Sequence, residues 1–231
     1  MTAIRNYVGN SWLWLIANIG AAFPLVWLLW DQVTDNLSIN PIDDYTDRTG
    51  DTAIVLLLLS LAVTPLITVT GWRKASTIRK SLGVWAAIYA FLHMLVFVGL
   101  DYAFSLEFIL LDGLPTKPYI LVGLAALLIL IPLGLTSTKG MQKRLGKNWK
   151  KLHRWVYVAG IFAAIHFIWV RKVAFGQPTI FAIILAALLI ARIPAVRTWL
   201  GSLRPKAAPK TASQAASVAA ARKRAKAAVE S

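Results

Sequence analysis

There is no cysteine among the 231 residues of this chain. That absence excludes disulfides, thiolate zinc sites, iron–sulfur clusters and covalently attached c-type haem, and leaves the redox compartment open. Charge is scarce too: charged residues make up 15% of the chain against 58% hydrophobic, with a mean hydropathy of +0.62. A soluble domain of this length needs more polar surface, so the composition points to a membrane protein. Acid is scarcest, with 10 Asp and Glu against 25 Lys and Arg, giving a formal charge of +15. Histidine occurs only three times, at His93, His153 and His166.

What is present is apolar sequence in long runs. Six stretches, 11–30, 52–70, 81–100, 118–136, 155–170 and 173–191, contain no Asp, Glu, Lys or Arg. Each has about the length that crosses ~30 Å of hydrocarbon as a helix. The expected fold class is therefore all-α, a polytopic bundle of six transmembrane helices. Arg171, Lys172 and the breaker run Gly176-Gln177-Pro178 place a tight turn between the fifth and sixth. Pro24, Pro65 and Pro132 fall within spans, where neighbouring helices re-satisfy the backbone. Arg5 ahead of the first run resembles the start of a signal peptide, but the run is too long for an h-region and no cleavage pattern follows it, so a retained helix is expected.

The loops alternate in charge. Segment 31–51 carries Asp31, Asp35, Asp43, Asp44, Asp47 and Asp51 against Arg48, and segment 101–117 carries Asp101, Glu107 and Asp112 against Lys117. The opposite loops hold Arg73, Lys74, Arg79 and Lys80, then Lys139, Lys143, Arg144, Lys147, Lys150, Lys151 and Arg154. Positive loops stay inside, so both termini are expected in the cytoplasm, with Arg171 and Lys172 in mild dissent. Trp12, Trp30, Trp72 and Trp149 near span ends fit an aromatic belt. The chain divides into a membrane domain, 1–200, and a basic Ala/Lys-rich tail, 201–231, expected to be disordered and drawn to anionic lipid. The tail has no interleaved aromatic residues for stacking, which argues against nucleic acid.

His93 lies twelve residues beyond Ser81 and His166 eleven beyond Trp155, which puts both roughly 17–18 Å into parallel helices. An ionisable residue inside the membrane is a functional hypothesis by default. Two at matched depth, with no buried acid, suggest axial ligands on one haem iron; the competing reading is a pair of histidines bonded to backbone carbonyls or to each other. His153, thirteen residues before His166 and among Lys150, Lys151 and Arg154, reads as a second-haem ligand, a quinone contact or an ordinary interfacial residue. Met94 beside His93 reads as packing.

A resemblance enters at these residues. Ile78-Arg79-Lys80-Ser81-Leu82-Gly83-Val84-Trp85 with Tyr89 and Leu92-His93, then Lys117-Pro118-Tyr119 and Leu135-Thr136-Ser137-Thr138, resemble the bacterial haem-binding membrane subunit of the periplasmic protein-methionine-sulfoxide reductase system. Arg144-Leu145-Gly146-Lys147-Asn148-Trp149, Leu152-His153-Arg154, Tyr157 and Ile165-His166-Phe167-Ile168-Trp169 continue it. The likeness runs from about Ile19 to Val173, and the subunit belongs to the ferric-reductase-like transmembrane group.

The resemblance implies a b-type haem protein of the bacterial inner membrane. It would pass electrons from the quinone pool, or from a flavin donor, to a periplasmic molybdopterin-containing catalytic subunit that repairs oxidised methionine. It maps haem-associated histidines onto His93, His166 and His153, and it brings FMN as a further cofactor without locating a site. In the larger relatives each of two helices carries two histidines; here Arg79 stands fourteen residues before His93, which leaves His153 without a histidine partner. Asn18 stands where some members have His. Arg79, Lys80 and Arg154 are candidates to pair with haem propionates or a flavin phosphate, although positive-inside topology alone accounts for them. The alternatives are a ferric or metal reductase fed by a cytosolic flavin reductase, and a small transporter. The first would be expected to carry a fused nicotinamide domain, and nothing after Ala191 in this sequence has the length or pattern for one; the second would be expected to carry an intramembrane carboxylate, and the six runs hold none.

Overall fold

The computed structural model describes residues 2–171 and 176–204, with side chains from Trp12 onward. All regular structure among them is helical. Seven helices organise it: α1 (Thr2–Val33), α2 (Pro41–Thr70), α3 (Ser76–Leu95), α4 (Tyr119–Leu135), α5 (Val156–Arg171), α6 (Gln177–Ile190) and α7 (Pro194–Ser202). A π-helical turn, Val96–Asp101, extends α3, and short helices Lys139–Leu145 and Lys147–His153 fill the basic loop before α5.

Local chemistry sets the ends. Pro41 enters α2 at its first turn with Asp43 and Asp44, where a preset φ and negative charge suit the helix N-terminus. Gly71 closes α2 at φ 72°, its N–H bonded to the Ile67 carbonyl, a left-handed cap that costs glycine least. The Thr138 hydroxyl caps the helix that follows by accepting from Met141 N–H.

The bundle is membrane-like, and its spans are uneven. The helices over Trp12–Val33, Pro41–Thr70, Arg73–Asp101 and Lys147–Arg171 are long and apolar enough to cross a bilayer. The fourth and sixth apolar runs form helices of 17 and 14 residues, about 26 and 21 Å long. They reach spanning length only together with bent neighbours, Leu106–Thr116 at 114° and α7 at 86°. The sixth is shorter than its apolar run because the helix starts only at Gln177, after Gly176, and Pro194 opens a new helix in another direction. His153 also lies on its own short helix, separated from α5 by a turn at Arg154 and Trp155. The tail drawn from residue 201 begins inside α7; residues 205–231 lie outside the described residues, as does most of the turn expected around Lys172.

The core forms where α2 packs on α3 and α4 on α5, joined through α3 against α4. Leu56, Leu57, Val63, Leu82, Tyr89 and Leu130 are buried there with Ala86 and Ala159. Small residues at these contacts let backbones approach closely, the usual route to helix association where lipid removes the hydrophobic drive. Large apolar side chains such as Ile16, Val26, Leu59, Leu128 and Ile183 face outward instead, as expected of a lipid-facing surface.

Two polar devices fasten α1 to α3. Asn18 Nδ2 donates to Ser81 Oγ at 3.2 Å, and its Oδ1 accepts from Trp85 Nε1 at 2.9 Å. One turn further, near Pro24, the Tyr89 hydroxyl enters the helix ladder: it accepts from Leu25 N–H at 2.9 Å and donates to the Ala21 carbonyl at 2.8 Å. Those two groups would otherwise bond each other, so Tyr89 carries their pairing across the loosened turn beside proline.

Candidate functional site

The nine described acids all lie between Asp31 and Asp112, in the segments that join α1 to α2 and α3 to α4 or in the helix ends beside them, so the bundle has an acidic end and a basic end. His93 near the end of α3 and His166 in α5 both stand toward the acidic end. Their ring centroids are 6.1 Å apart and their planes 81° apart. That spacing leaves room between them for one metal atom bonded to an imidazole nitrogen of each at about 2 Å.

Both rings are held the same way. His93 Nδ1 donates to the Thr46 carbonyl on α2 at 3.0 Å, and His166 Nδ1 donates to the Tyr119 carbonyl on α4 at 2.9 Å. A carbonyl only accepts, so in each ring the proton sits on Nδ1 and the lone pair is left on Nε2. In each case a glycine lies four residues beyond the carbonyl. A Cβ at Gly50 would stand 3.1 Å from His93 Nδ1, and one at Gly123 would stand 2.8 Å from His166 Nδ1. Each histidine follows its glycine by 43 residues and its carbonyl by 47. The pairs α2–α3 and α4–α5 therefore repeat one arrangement, in which an imidazole lies flush against a bare stretch of the preceding helix and is anchored by its backbone.

Sequence reasoning had not singled out Gly50, Gly123 or Thr46, and Tyr119 entered it only within the motif Lys117-Pro118-Tyr119. The signal was the equal 43-residue offset, which is visible only once the histidines are paired.

The two rings line a cavity of about 220 Å³ between α2, α3, α4 and α5. Its walls are mainly apolar, with Ile54, Ala90, Met94, Leu127 and Phe167 among them; its mouth carries Asp47, Asp51, Asp101, Lys117 and Arg171. Arg171 bonds Asp47 at 3.1 Å and Asp51 at 3.7 Å. That accounts for one of the two basic residues that dissented from the charge pattern: Arg171 is neutralised by two aspartates of α2, and Lys172 lies outside the described residues. Lys117 stands 3.8 Å from Asp101 and over the Tyr102 ring. Burial acts to lower its pKa, but the Tyr102 hydroxyl and the Asp101 charge outweigh it, holding the ammonium above its ordinary value.

Two further acids are occupied locally. Asp44 accepts from Ser38 N–H at 2.5 Å, and buried Asp31 pairs with Arg48.

His153 stands apart, at the far end of α4 from Tyr119 and so roughly 25 Å along that helix. The Thr136 hydroxyl donates to the Pro132 carbonyl at 2.6 Å, so at 3.1 Å it accepts from His153 Nε2. Trp149 stacks on the ring at 4.0 Å. His153 therefore carries its proton on Nε2, the opposite tautomer to the other two. Arg79, proposed as an inner-edge cation, donates to Thr64 Oγ1 at 3.3 Å.

Among the described residues no three His, Cys, Asp or Glu come together as a metal-ligand group. A pair of imidazoles is short of the three or four protein ligands of a bare transition-metal site. Two imidazoles would suffice for a group that brings further nitrogen ligands of its own, and His93 and His166 are the residues that would hold it. The tautomers and the apolar lining of the shared cavity suit such a group.

Residues 49–164 match the model of the ferric reductase like transmembrane component family. Among curated relatives, one from Deinococcus radiodurans is 43% identical over 79% of this chain and 90% of its own length. One from Rhodospirillum rubrum is 41% identical over 78% and 86%, and one from Klebsiella pneumoniae 33% identical over 84% and 96%. All three are named protein-methionine-sulfoxide reductase heme-binding subunit MsrQ. The matched segment contains His93 and ends at Ala164 on the helix that carries His166, and the chain belongs to the ferric-reductase-like transmembrane family, in the group of the MsrQ subunits.

Proposed function

We propose that this chain is a membrane haem electron-transfer subunit that serves a methionine-sulfoxide reductase. The observation that carries the reading is the His93–His166 pair: two imidazoles on separate helices, each with Nδ1 bonded to a carbonyl and Nε2 left to ligate. Relatives are named for both haem and the reductase, which supports the assignment. The finer reading is a b-type haem held by His93 and His166. A quinol or a reduced flavin such as FMN donates at the basic, cytoplasmic end. A periplasmic molybdopterin-containing catalytic subunit accepts at the acidic end, in the bacterial inner membrane.

Bound there, haem would supply a one-electron carrier at a fixed depth. The chain's residues do the rest. Carbonyls of Thr46 and Tyr119 fix the tautomers and aim the rings. Gly50 and Gly123 let the rings lie close to the helices. The apolar wall keeps water out and the local dielectric low. Arg171 and Lys117 are the cations at the mouth, where carboxylates of a bound macrocycle would compete with Asp47, Asp51 and Asp101 for them. His153 is assigned to the donor end, as a contact for the donor, with the tautomer set by Thr136 as the reason for placing the axial pair elsewhere.

The test is a reduced-minus-oxidised optical spectrum of the detergent-purified protein, with pyridine-haemochrome quantitation, for the parent and for His93→Ala, His166→Ala and His153→Ala. A b-type spectrum that is lost or turned high-spin by the first two changes and kept by the third supports the reading. Haem near two per chain, with one lost in His153→Ala, would move His153 to the axial set. A protein that takes up no haem when haem is plentiful would end the electron-transfer reading.

A further inference from the structure

A second cavity lies at the basic end, about 570 Å³ in volume, between the last turn of α2, the turn that follows it, and α7. Four arginines line it, Arg73, Arg192, Arg197 and Arg204, together with Thr68 and Thr198. No carboxylate does. Nine of the ten acids lie between Asp31 and Asp112, and the tenth, Glu230, is outside the described residues. Every ion pair among the described residues uses Asp31, Asp47, Asp51 or Asp101, all remote from this end.

Positive-inside topology explains basic residues facing water; it does not gather four guanidinium groups around one hollow. Arg192 is locked in place without losing its charge: Nη2 donates to the Leu61 carbonyl at 2.6 Å, Nη1 to Leu188 at 2.7 Å and Nε to the Tyr157 hydroxyl at 3.3 Å. Arg204 lies against Gly71, in space that any side chain there would fill. Like charges drawn together at a dielectric boundary repel unless an anion joins them. Guanidinium forks suit phosphate oxygens, and hydroxyls such as those of Thr68 and Thr198 complete such a shell.

The surroundings select the form in which phosphate arrives. α7 turns 86° from α6, with exposed Trp199, while Leu203 just beyond it and Trp72 across the cavity are exposed too. A helix turned across its spanning neighbour, with apolar and tryptophan side chains beside a basic cavity, lies at the headgroup layer. We propose that this cavity holds the phosphate of an anionic phospholipid headgroup, which joins α7 to the end of α2.

The experiment uses the full haem-loaded chain in detergent, stripped of lipid and then given phosphatidylglycerol, phosphatidylcholine or inorganic pyrophosphate. Native mass spectrometry counts retained lipid, and a thermal melt reads stabilisation. The cavity variant is Arg73→Gln with Arg197→Gln; the control, Lys143→Gln with Lys147→Gln, removes the same charge from the same end outside the cavity. Expected is retention of phosphatidylglycerol over phosphatidylcholine, with apparent affinity reduced about tenfold or more in the cavity variant and much less in the control. Equal losses in both variants mean diffuse attraction and overturn the site. Stabilisation by pyrophosphate alone, lost with the cavity arginines, keeps the phosphate site and overturns its lipid source. An unchanged haem spectrum shows that each variant is folded; if the double variant fails that check, Arg204→Gln takes its place.

Discussion

Gly123 and His166 touch: the imidazole of one lies against the bare Cα of the other, and a single added carbon would stand 2.8 Å from Nδ1. Gly50 and His93 make the same contact with more room, at 3.1 Å. The two axial candidates are thus placed by the absence of side chains on the helices behind them as much as by their own positions.

Alanine at either glycine pushes an imidazole off its carbonyl, and the two sites differ in slack. Gly123→Ala is expected to lower haem content and raise the high-spin fraction, with overpacking strain of about 1–3 kcal/mol. Gly50→Ala should give the same change to a smaller degree. Haem per chain and the reduced spectrum measure both; equal effects would show that the neighbouring helix absorbs the strain.

Tyr89→Phe removes a hydroxyl that serves both Leu25 N–H and the Ala21 carbonyl. Leaving those buried groups to re-pair across the Pro24 turn is expected to cost about 1–3 kcal/mol. A thermal melt in detergent should fall while the spectrum of the folded protein stays as in the parent, since Tyr89 does not line the histidine cavity.

Arg171 and Asp51 border that cavity with opposite charge. Arg171→Gln should lower the haem midpoint potential, because losing a cation favours the more positive oxidised state, and Asp51→Asn should raise it. Arg171 is about one-third exposed, so the stability cost should stay near or below 1 kcal/mol. Redox titration with the melting curve separates the two effects.

Thr136→Val takes away the acceptor of His153 Nε2–H. The reading of the site predicts an unchanged axial spectrum and slower reduction by a quinol or reduced flavin. A spectral change of the size seen in His93→Ala would place His153 on haem instead.

The sequence alone was enough for the membrane class and the alternating charge of the ends, and it singled out His93 and His166 as candidates. Those features follow from solvation: a chain with long uncharged runs has few options in water, and a lone imidazole in lipid needs a partner. Arg171 looked like an exception to the charge rule until Asp47 and Asp51, 124 and 120 residues earlier, were seen against it. The sixth run was read as a span over 173–191, because hydropathy records composition and not where a helix starts or turns: α6 begins at Gln177, and a new helix opens at Pro194. Which ring nitrogen carries the proton, which glycines back the rings and which arginines gather at the basic end were decided by tertiary structure alone. Each depends on a carbonyl, a missing Cβ or a missing carboxylate on a different helix, and no local pattern along one helix encodes what its neighbour leaves open.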